Sequence, residues 1–557
     1  MKPMDESKRL HDFLDREWER HLKEDPLFAT QIGDPRYNDL LPDYSLEAVH
    51  RSRQQELAAR RELSSINREA ISEEDRLNYD LYANHLDVSI EGHAFPEHLM
   101  PVNQLDGIHS RAPQFHLLHR FETVADYENY LARLTRMPAA MQQTIERMEA
   151  GLNQGITPPR VPLRTVSDQI QAQLIADARQ SPFYEPLVQA ERAFSAAEFS
   201  RLKSEALKVL SEIVMPAYRK FLEFWQARYY PGARESIAAS DLPNGREWYE
   251  YAVRRETTTR LPPEQIHETG LREVQRIRNE MMKIKEQAGF NGSYEEFVAF
   301  LKSDPQFFYA KAEDLVTAYR DICKRLDAEI PRFFGKLPRL TYGVREMPAY
   351  SAPSMPTGFY EYGSMENGRP AWYYVNTYRL DMRPRWEMEV LSIHESVPGH
   401  HLQLSLAREM TDVPAFRKYY NHTAFVEGWG LYSEGLGPEM GFYADPSSRF
   451  GWLSYDMWRA VRLVVDTGMH AFGWSRQQAI DYFRSNSGKT EQDITVEVDR
   501  YIVWPGQALA YKIGQLKLLE LRRRAEEHDG DGFNLRAFHD RLLSFGSLPL
   551  NILEKVL

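Results

Sequence analysis

Residues 385–401 read RWEMEVLSIHESVPGHH, and the spacing of their histidines governs how the rest of the chain is read. Apolar residues recur every three to four positions through RWEMEVLSI, which predicts a helix. It runs into His394 and Glu395, with His400 and His401 close behind. A His-Glu pair followed by another histidine is how zinc hydrolases assemble a site. In the usual H-E-x-x-H spacing the two histidines lie one turn apart on one helix face, and both reach an ion at about 2.0–2.1 Å. Here the second histidine comes at i+6 or i+7. On an unbroken helix i+6 points about 120° away, and i+7 lies about 10 Å further along the axis. Pro398 changes this, because it lacks an N–H and its ring collides with the carbonyl four residues back, that of His394. Gly399 tolerates unusual dihedrals. The spacing therefore predicts a helix that bulges or kinks between the histidines and swings His400, in preference to His401, round to the ion.

The next informative stretch is PAFRKYYNHTAFVEGWGLYSEGL, residues 414–436, read as one helix. It carries Glu427 and, seven residues on, Glu434. A downstream helical glutamate is the usual third ligand of a His2Glu zinc site, so the candidate metal ligands are His394, His400 and Glu427. Glu434 is expected to be a supporting or structural residue. Gly428 and Gly430 each cost about 1 kcal/mol of helix propensity relative to alanine, which points to close packing or room for a ligand. Zinc in such a site lowers the pKa of a bound water and polarises a carbonyl. Glu395 is the candidate general base.

A metal-bound histidine needs an outer acceptor. Asp466 is a candidate, on a helix face that also presents Arg462 and His470 at i, i+4 and i+8; the alternative for that face is a surface ion pair. Tyr501, Tyr511 and His470 are candidates to stabilise the oxyanion. Arg500 and Lys512 are candidates for a substrate carboxylate. The aromatic stretch AWYYVNTY reads as a strand able to pair with an extended peptide, with Asn376 or Gly363 as contacts.

Around these motifs the chain has 557 residues, 42% hydrophobic and 27% charged. That composition excludes collagen, a disordered tail and a disulfide scaffold. The net charge of −12 argues against nonspecific nucleic-acid binding. The one cysteine, Cys323, lies in an amphipathic run and reads as core; it cannot build a thiolate site, so any metal falls to His and carboxylates. No apolar run is long enough for a transmembrane helix. The charged first residues carry no signal core, which places the chain as given in the cytoplasm, or outside it if a leader has been trimmed. Residues 1–230 read as an N-terminal helical region and 231–557 as a catalytic region. The latter holds a small sheet at about 339–378, active-site helices at about 385–436 and further helices over 447–557. The fold class is mainly α with a small sheet beside the active-site helices.

Five segments then identify a resemblance: HESVPGHHLQ, EGWGLYSE, RLVVDTGMHAFGWS, DRYIVWPGQALAYKIG and FHDRLLSFGSLPL. They resemble the bacterial family known as domain of unknown function 885, which is similar to the zincin metallopeptidase clan. The resemblance implies a mainly helical fold with a zincin-like core, and a site carried by His394, Glu395, His400 and Glu427. Many relatives look exported or lipid-anchored. The leading expectation is a zinc-dependent hydrolase of short peptides. An amidase of modified amides and a noncatalytic peptide binder are the alternatives. The oligomeric state is not legible.

Overall fold

The computed structural model describes residues 6–190, 194–349, 352, 355–365 and 368–557. The chain divides into two compact units, 1–245 and 246–557. The first is helical, with helices such as Glu6–Glu24, Leu46–Ser64, Glu73–Gly92 and Met137–Gln154. Ser45 and Ser72 cap two of these by accepting from backbone N–H groups in the first turn, which satisfies donors that the helix itself cannot. Its core gathers Tyr130, Leu134, Met148, Tyr218 and Trp225. The run 196–229 is continuous but widens twice, at Leu210–Val214 and Trp225–Tyr229. Each wide turn directly precedes a proline, Pro216 or Pro231. Widening relieves the clash between the proline ring and the carbonyl four residues back.

The second unit is mainly helical with one small sheet. Its longest helices are α1 (Pro263–Gln287), α2 (Ala312–Phe333) and, after the sheet, α6 (Pro446–Ala471). Between sheet and α6 come α3 (Met388–Glu395), α4 (His400–Arg408) and α5 (Thr423–Glu434). After α6 come α7 (Glu491–Val503) and α8 (Ala510–Asp529). Helix α6 is buried over most of its length, including the polar residues Asp456, Arg459, Arg462, Asp466 and His470. It packs on α1 at Gly270, where a Cβ would stand 2.7 Å from Val464 Cγ2. Helices α5 and α8 touch backbone to backbone. A Cβ on Gly514 would lie 1.9 Å from the Ala424 carbonyl oxygen, and one on Gly428 would lie 2.6 Å from Gly514 Cα. The helix-propensity cost of Gly428 is thus explained by close packing.

The sheet has the order β1 (Tyr342–Glu346), β3 (Ala371–Val375), β2 (Gly358–Glu361). Strand β3 runs parallel to β1 and antiparallel to β2. Strand β3 falls within AWYYVNTY, and β1 lies within the sheet region expected at about 339–378. Strand β2 was not predicted. Two boundaries also differ. The segment 414–436 is broken, with Phe416–Tyr419 separated from α5 by an extended His422. The histidine motif is not one kinked helix either: α3 ends at Glu395 and α4 begins afresh at His400. Cys323 is buried on α2 with its thiol against the Ser396 hydroxyl at 3.6 Å, and burial pushes that thiol up to about 11. It is core.

Candidate metal centre

The break between α3 and α4 decides which histidine faces His394 and Glu427. After Glu395 the backbone folds back over the end of α3. The Gly399 N–H donates to the Ile393 carbonyl at 3.0 Å, and the His401 N–H to the Ser396 carbonyl at 3.0 Å. A Cβ on Gly399 would lie 2.0 Å from the His394 carbonyl oxygen, so only glycine fits. Its φ is −71°, which other residues share; close approach is what demands glycine here. The Trp429 indole N–H, from α5, donates to the Pro398 carbonyl at 2.8 Å and pins the break.

The restart turns His400 and His401 in different directions. His400 Nε2 lies 3.6 Å from Glu427 Oε2, and His394 Nε2 lies 3.5 Å from the same oxygen. The rings of His394 and His400 are 4.6 Å apart and nearly perpendicular. His401 faces the sheet instead. Its ring sits 4.6 Å from that of Tyr342, the Tyr360 hydroxyl is 3.1 Å from its Nδ1, and burial pushes its pKa down to about 4.

One ligand atom from each of His394, His400 and Glu427 fits within 4.8 Å of the other two. This is the one such group of His, Cys, Asp or Glu among the described residues. The spacings fit a metal. Tetrahedral bonds of 2.0–2.2 Å put neighbouring ligand atoms about 3.3–3.6 Å apart, and both nitrogen–oxygen separations fall in that window while exceeding ordinary hydrogen-bond length.

Behind the first ligand, His394 Nδ1 is 2.8 Å from Glu434 Oε1, and Glu434 is fully buried. Glu434 therefore holds the ring and stands where a metal-bound histidine takes an outer acceptor. Gly430, one turn before it, leaves room for the imidazole, since a Cβ there would stand 2.5 Å from His394 Cε1. The two glycines of E-G-W-G thus serve different neighbours. Despite burial, Glu427 is held well below the usual carboxylate range by the two histidines facing it. Burial pushes the Glu395 carboxyl up, partly offset by His400 and His394 and by the Tyr360 backbone N–H.

The remaining candidates engage partners outside the His-His-Glu group. Asp466 does not meet a ligand histidine: its carboxylate accepts from the Tyr249 hydroxyl at 2.7 Å and the Gly506 N–H at 3.1 Å. Its helix face is not a surface ion pair, because Arg462, Asp466 and His470 are all buried. His470 Nε2 is 2.9 Å from the Tyr501 carbonyl oxygen, and its ring packs on Tyr249. The Tyr501 hydroxyl accepts from Arg462 Nε at 2.9 Å and donates to Glu497 at 2.6 Å. The Tyr511 hydroxyl accepts from Arg500 at 3.2 Å. Lys512 is buried on Asp456 at 2.5 Å and Glu273 at 3.0 Å, which leaves it no role toward a ligand. Asn376 clamps a loop by donating to the Ala352, Met355 and Pro356 carbonyls.

One neighbour of the site was not read from the sequence. Tyr362 follows β2, with the Arg408 guanidinium 4.1 Å from its ring centroid. Burial raises its hydroxyl pKa, against the lowering charge of Arg408, and the charges of Glu427 and Glu395 add to the rise. Glu427 belongs to the His-His-Glu group, and Glu395 follows His394 in the chain. Gly363 beside it was singled out; the tyrosine itself carries no spacing signal.

A family model described as bacterial protein of unknown function (DUF885) matches residues 26–557. Among solved structures, the chain is similar to a candidate lipoprotein from Colwellia psychrerythraea, at 27% identity and a TM-score of 0.95, covering 99% of this chain and 98% of that one. It is also similar to a candidate lipoprotein of unknown function from Shewanella oneidensis, at 18% identity and a TM-score of 0.72, covering 98% and 99%. No curated protein is detectably similar to it. Among the described residues, no helix is long and apolar enough to cross a membrane.

Proposed function

The chain belongs to the DUF885 family, and from that premise and the site's geometry we propose that it is a zinc-dependent hydrolase of peptide bonds in the zincin manner. The observation that carries this reading is the trio His394, His400 and Glu427, spaced for one tetrahedral ion, with the outer acceptor Glu434 behind it. A zinc ion held there supplies Lewis acidity toward a carbonyl and lowers the pKa of water. The protein supplies the rest. Glu395 adjoins the first ligand, and burial raises its carboxyl, which suits a base that takes a proton from water and passes it to the leaving amine. Tyr362, whose hydroxyl feels the charges of Glu427 and Glu395, is the candidate donor to the developing oxyanion. Strand β3, expected to pair with a peptide, is paired on both sides, so an extended peptide would instead add by main-chain pairing to β2 at the sheet edge.

The test is metal analysis joined to a peptide digest. The purified protein is expected to hold about one zinc per chain. Glu395→Gln is expected to keep the metal and lose at least ~100-fold in peptide hydrolysis. Hydrolysis that survives Glu395→Gln defeats the proposal. Cleavage of acylated amino acids alone, with peptides untouched, replaces peptidase by amidase. The lipoprotein descriptions of both similar structures favour an envelope location over the cytoplasmic one, and fractionation of cells expressing the natural gene decides between them.

A further inference from the structure

We propose that a buried cluster of donors around Trp458 and Tyr511 binds a carboxylate of the substrate, so that the hydrolase acts on peptides presenting a free carboxylate there. The proposal rests on the hydrolase reading and narrows its substrate class.

Trp458, on α6, is ringed by cations. Lys489 Nζ lies 4.6 Å from its ring centroid, Arg462 Cζ 4.9 Å and Arg459 Cζ 5.2 Å. Arg462 also lies over Tyr511 at 4.5 Å, and Arg500 donates to the Tyr511 hydroxyl. Arg459 and Arg462 are 6% and 3% exposed. Four buried donors in this cluster have no hydrogen-bond partner: Trp458 Nε1, Arg459 Nε, Arg462 Nη1 and Arg500 Nε.

The charges do not cancel. Glu434 stands 3.6 Å from Arg459, Glu497 stands 3.0 Å from Arg462 and 3.6 Å from Arg500, and Glu387 stands 3.1 Å from Lys489. Three carboxylates thus face four cations, and one of the three, Glu434, already serves His394. Every unpartnered group is a donor. Water brings hydrogens of its own that need acceptors, whereas a carboxylate only accepts and carries the missing charge. A planar carboxylate also matches the guanidinium fork.

The cluster adjoins the metal centre through one residue, because Glu434 Oε1 meets both His394 Nδ1 and the Arg459 guanidinium. Arg462 lies one turn further along α6, about 4.5 Å of rise. Lys512, the other basic side chain that the sequence offers for this role, is fully occupied by Asp456 and Glu273.

The experiment compares three N-acylated tripeptides with the zinc-loaded protein: one with a free terminal carboxylate, its amide, and the amide carrying a glutamate side chain. The free acid is expected to exceed the plain amide at least ~tenfold in kcat/KM, the effect of one charge-assisted contact. Preference for the terminal acid or for the glutamate amide identifies which carboxylate is read. Arg500→Gln is expected to collapse the acid-to-amide ratio toward one, and Trp458→Phe, which removes a single N–H, to reduce it several-fold. Near-ultraviolet circular dichroism checks that both variants fold. Equal turnover of acid and amide by wild type overturns the proposal while leaving the hydrolase reading intact. Where no peptide is cleaved, calorimetry on the metal-free protein decides. Binding of the acid over the amide upholds the carboxylate site without the hydrolase, and equal or absent binding overturns both.

Discussion

Gly430→Ala isolates the geometry of the metal centre from the chemistry of its ligands. It replaces none of the ligand side chains and adds one methyl group to a helix. In an exposed helix the change stabilises by about 1 kcal/mol. Here the added Cβ would stand 2.5 Å from His394 Cε1 and 2.9 Å from both ring nitrogens. Comfortable carbon–carbon contact is about 3.5–4.0 Å, so the ring must retreat by about 1 Å. Metal–ligand distances tolerate about 0.2 Å. The ring cannot rotate freely to comply, because Glu434 holds its Nδ1 at 2.8 Å. The expected result is a 10–100-fold loss of zinc affinity, the range seen when a ligand's support is lost, or about 1.4–2.8 kcal/mol. Competition with a fluorescent zinc chelator measures it. In the presence of excess chelator, wild type and variant are expected to melt within a few degrees of one another, since the propensity gain offsets part of the clash. Unchanged zinc affinity would show that His394 is not a ligand in the orientation described.

Three further substitutions probe the surroundings. Glu434→Gln keeps an acceptor for His394 but removes the charge, and zinc affinity is expected to fall ~10-fold or more; an unaltered chelator titration counts against Glu434 as the outer acceptor. Tyr362→Phe is expected to lower kcat by ~100-fold with little change in KM, and a change confined to KM would make the residue a substrate contact instead. Asp466→Asn tests pH dependence: burial pushes this carboxyl up to about 7, against the hydrogen bonds from Tyr249 and Gly506. A folded pKa above the unfolded one gives stability that is complete below about pH 4 and lost as pH rises through 7. Wild type is therefore expected to lose up to ~4 kcal/mol relative to Asp466→Asn between pH 4 and 8, read as diverging melting temperatures. Parallel curves would place the carboxyl's titration elsewhere.

What the sequence made legible was set by local spacing. His394 and Glu427 follow from motif order, and the preference for His400 follows from Pro398 and Gly399. The manner of the break does not, because it depends on carbonyls of α3 folding back against Gly399, a contact that no helical pattern encodes. Strand β2 escaped notice because it is four residues long in a stretch crowded with glycine, proline and tyrosine. The face of α6 was misread for a different reason. Arginine, aspartate and histidine at helical spacing resemble a solvated surface, yet Asp466 finds its partner in Tyr249, 217 residues earlier. Tyr362 is similar: its placement comes from β2 passing the end of α3, which only the fold supplies.

The glycine seam between α5 and α8 bears on how substrate length would be measured. With Gly428 lying on Gly514 and the Ala424 carbonyl against the same residue, no side chain stands between the helices to act as a cushion. Glu427 sits beside one half of the seam, and Tyr511 lies one turn from the other. The proposed ion position and the proposed carboxylate-binding cluster are therefore mounted on a single strut. On that proposal such a strut is a gauge of fixed length: it would set how many backbone atoms separate the gripped carboxylate from the bond presented for cleavage. A bulkier residue at Gly514 would alter that gauge before it altered the chemistry.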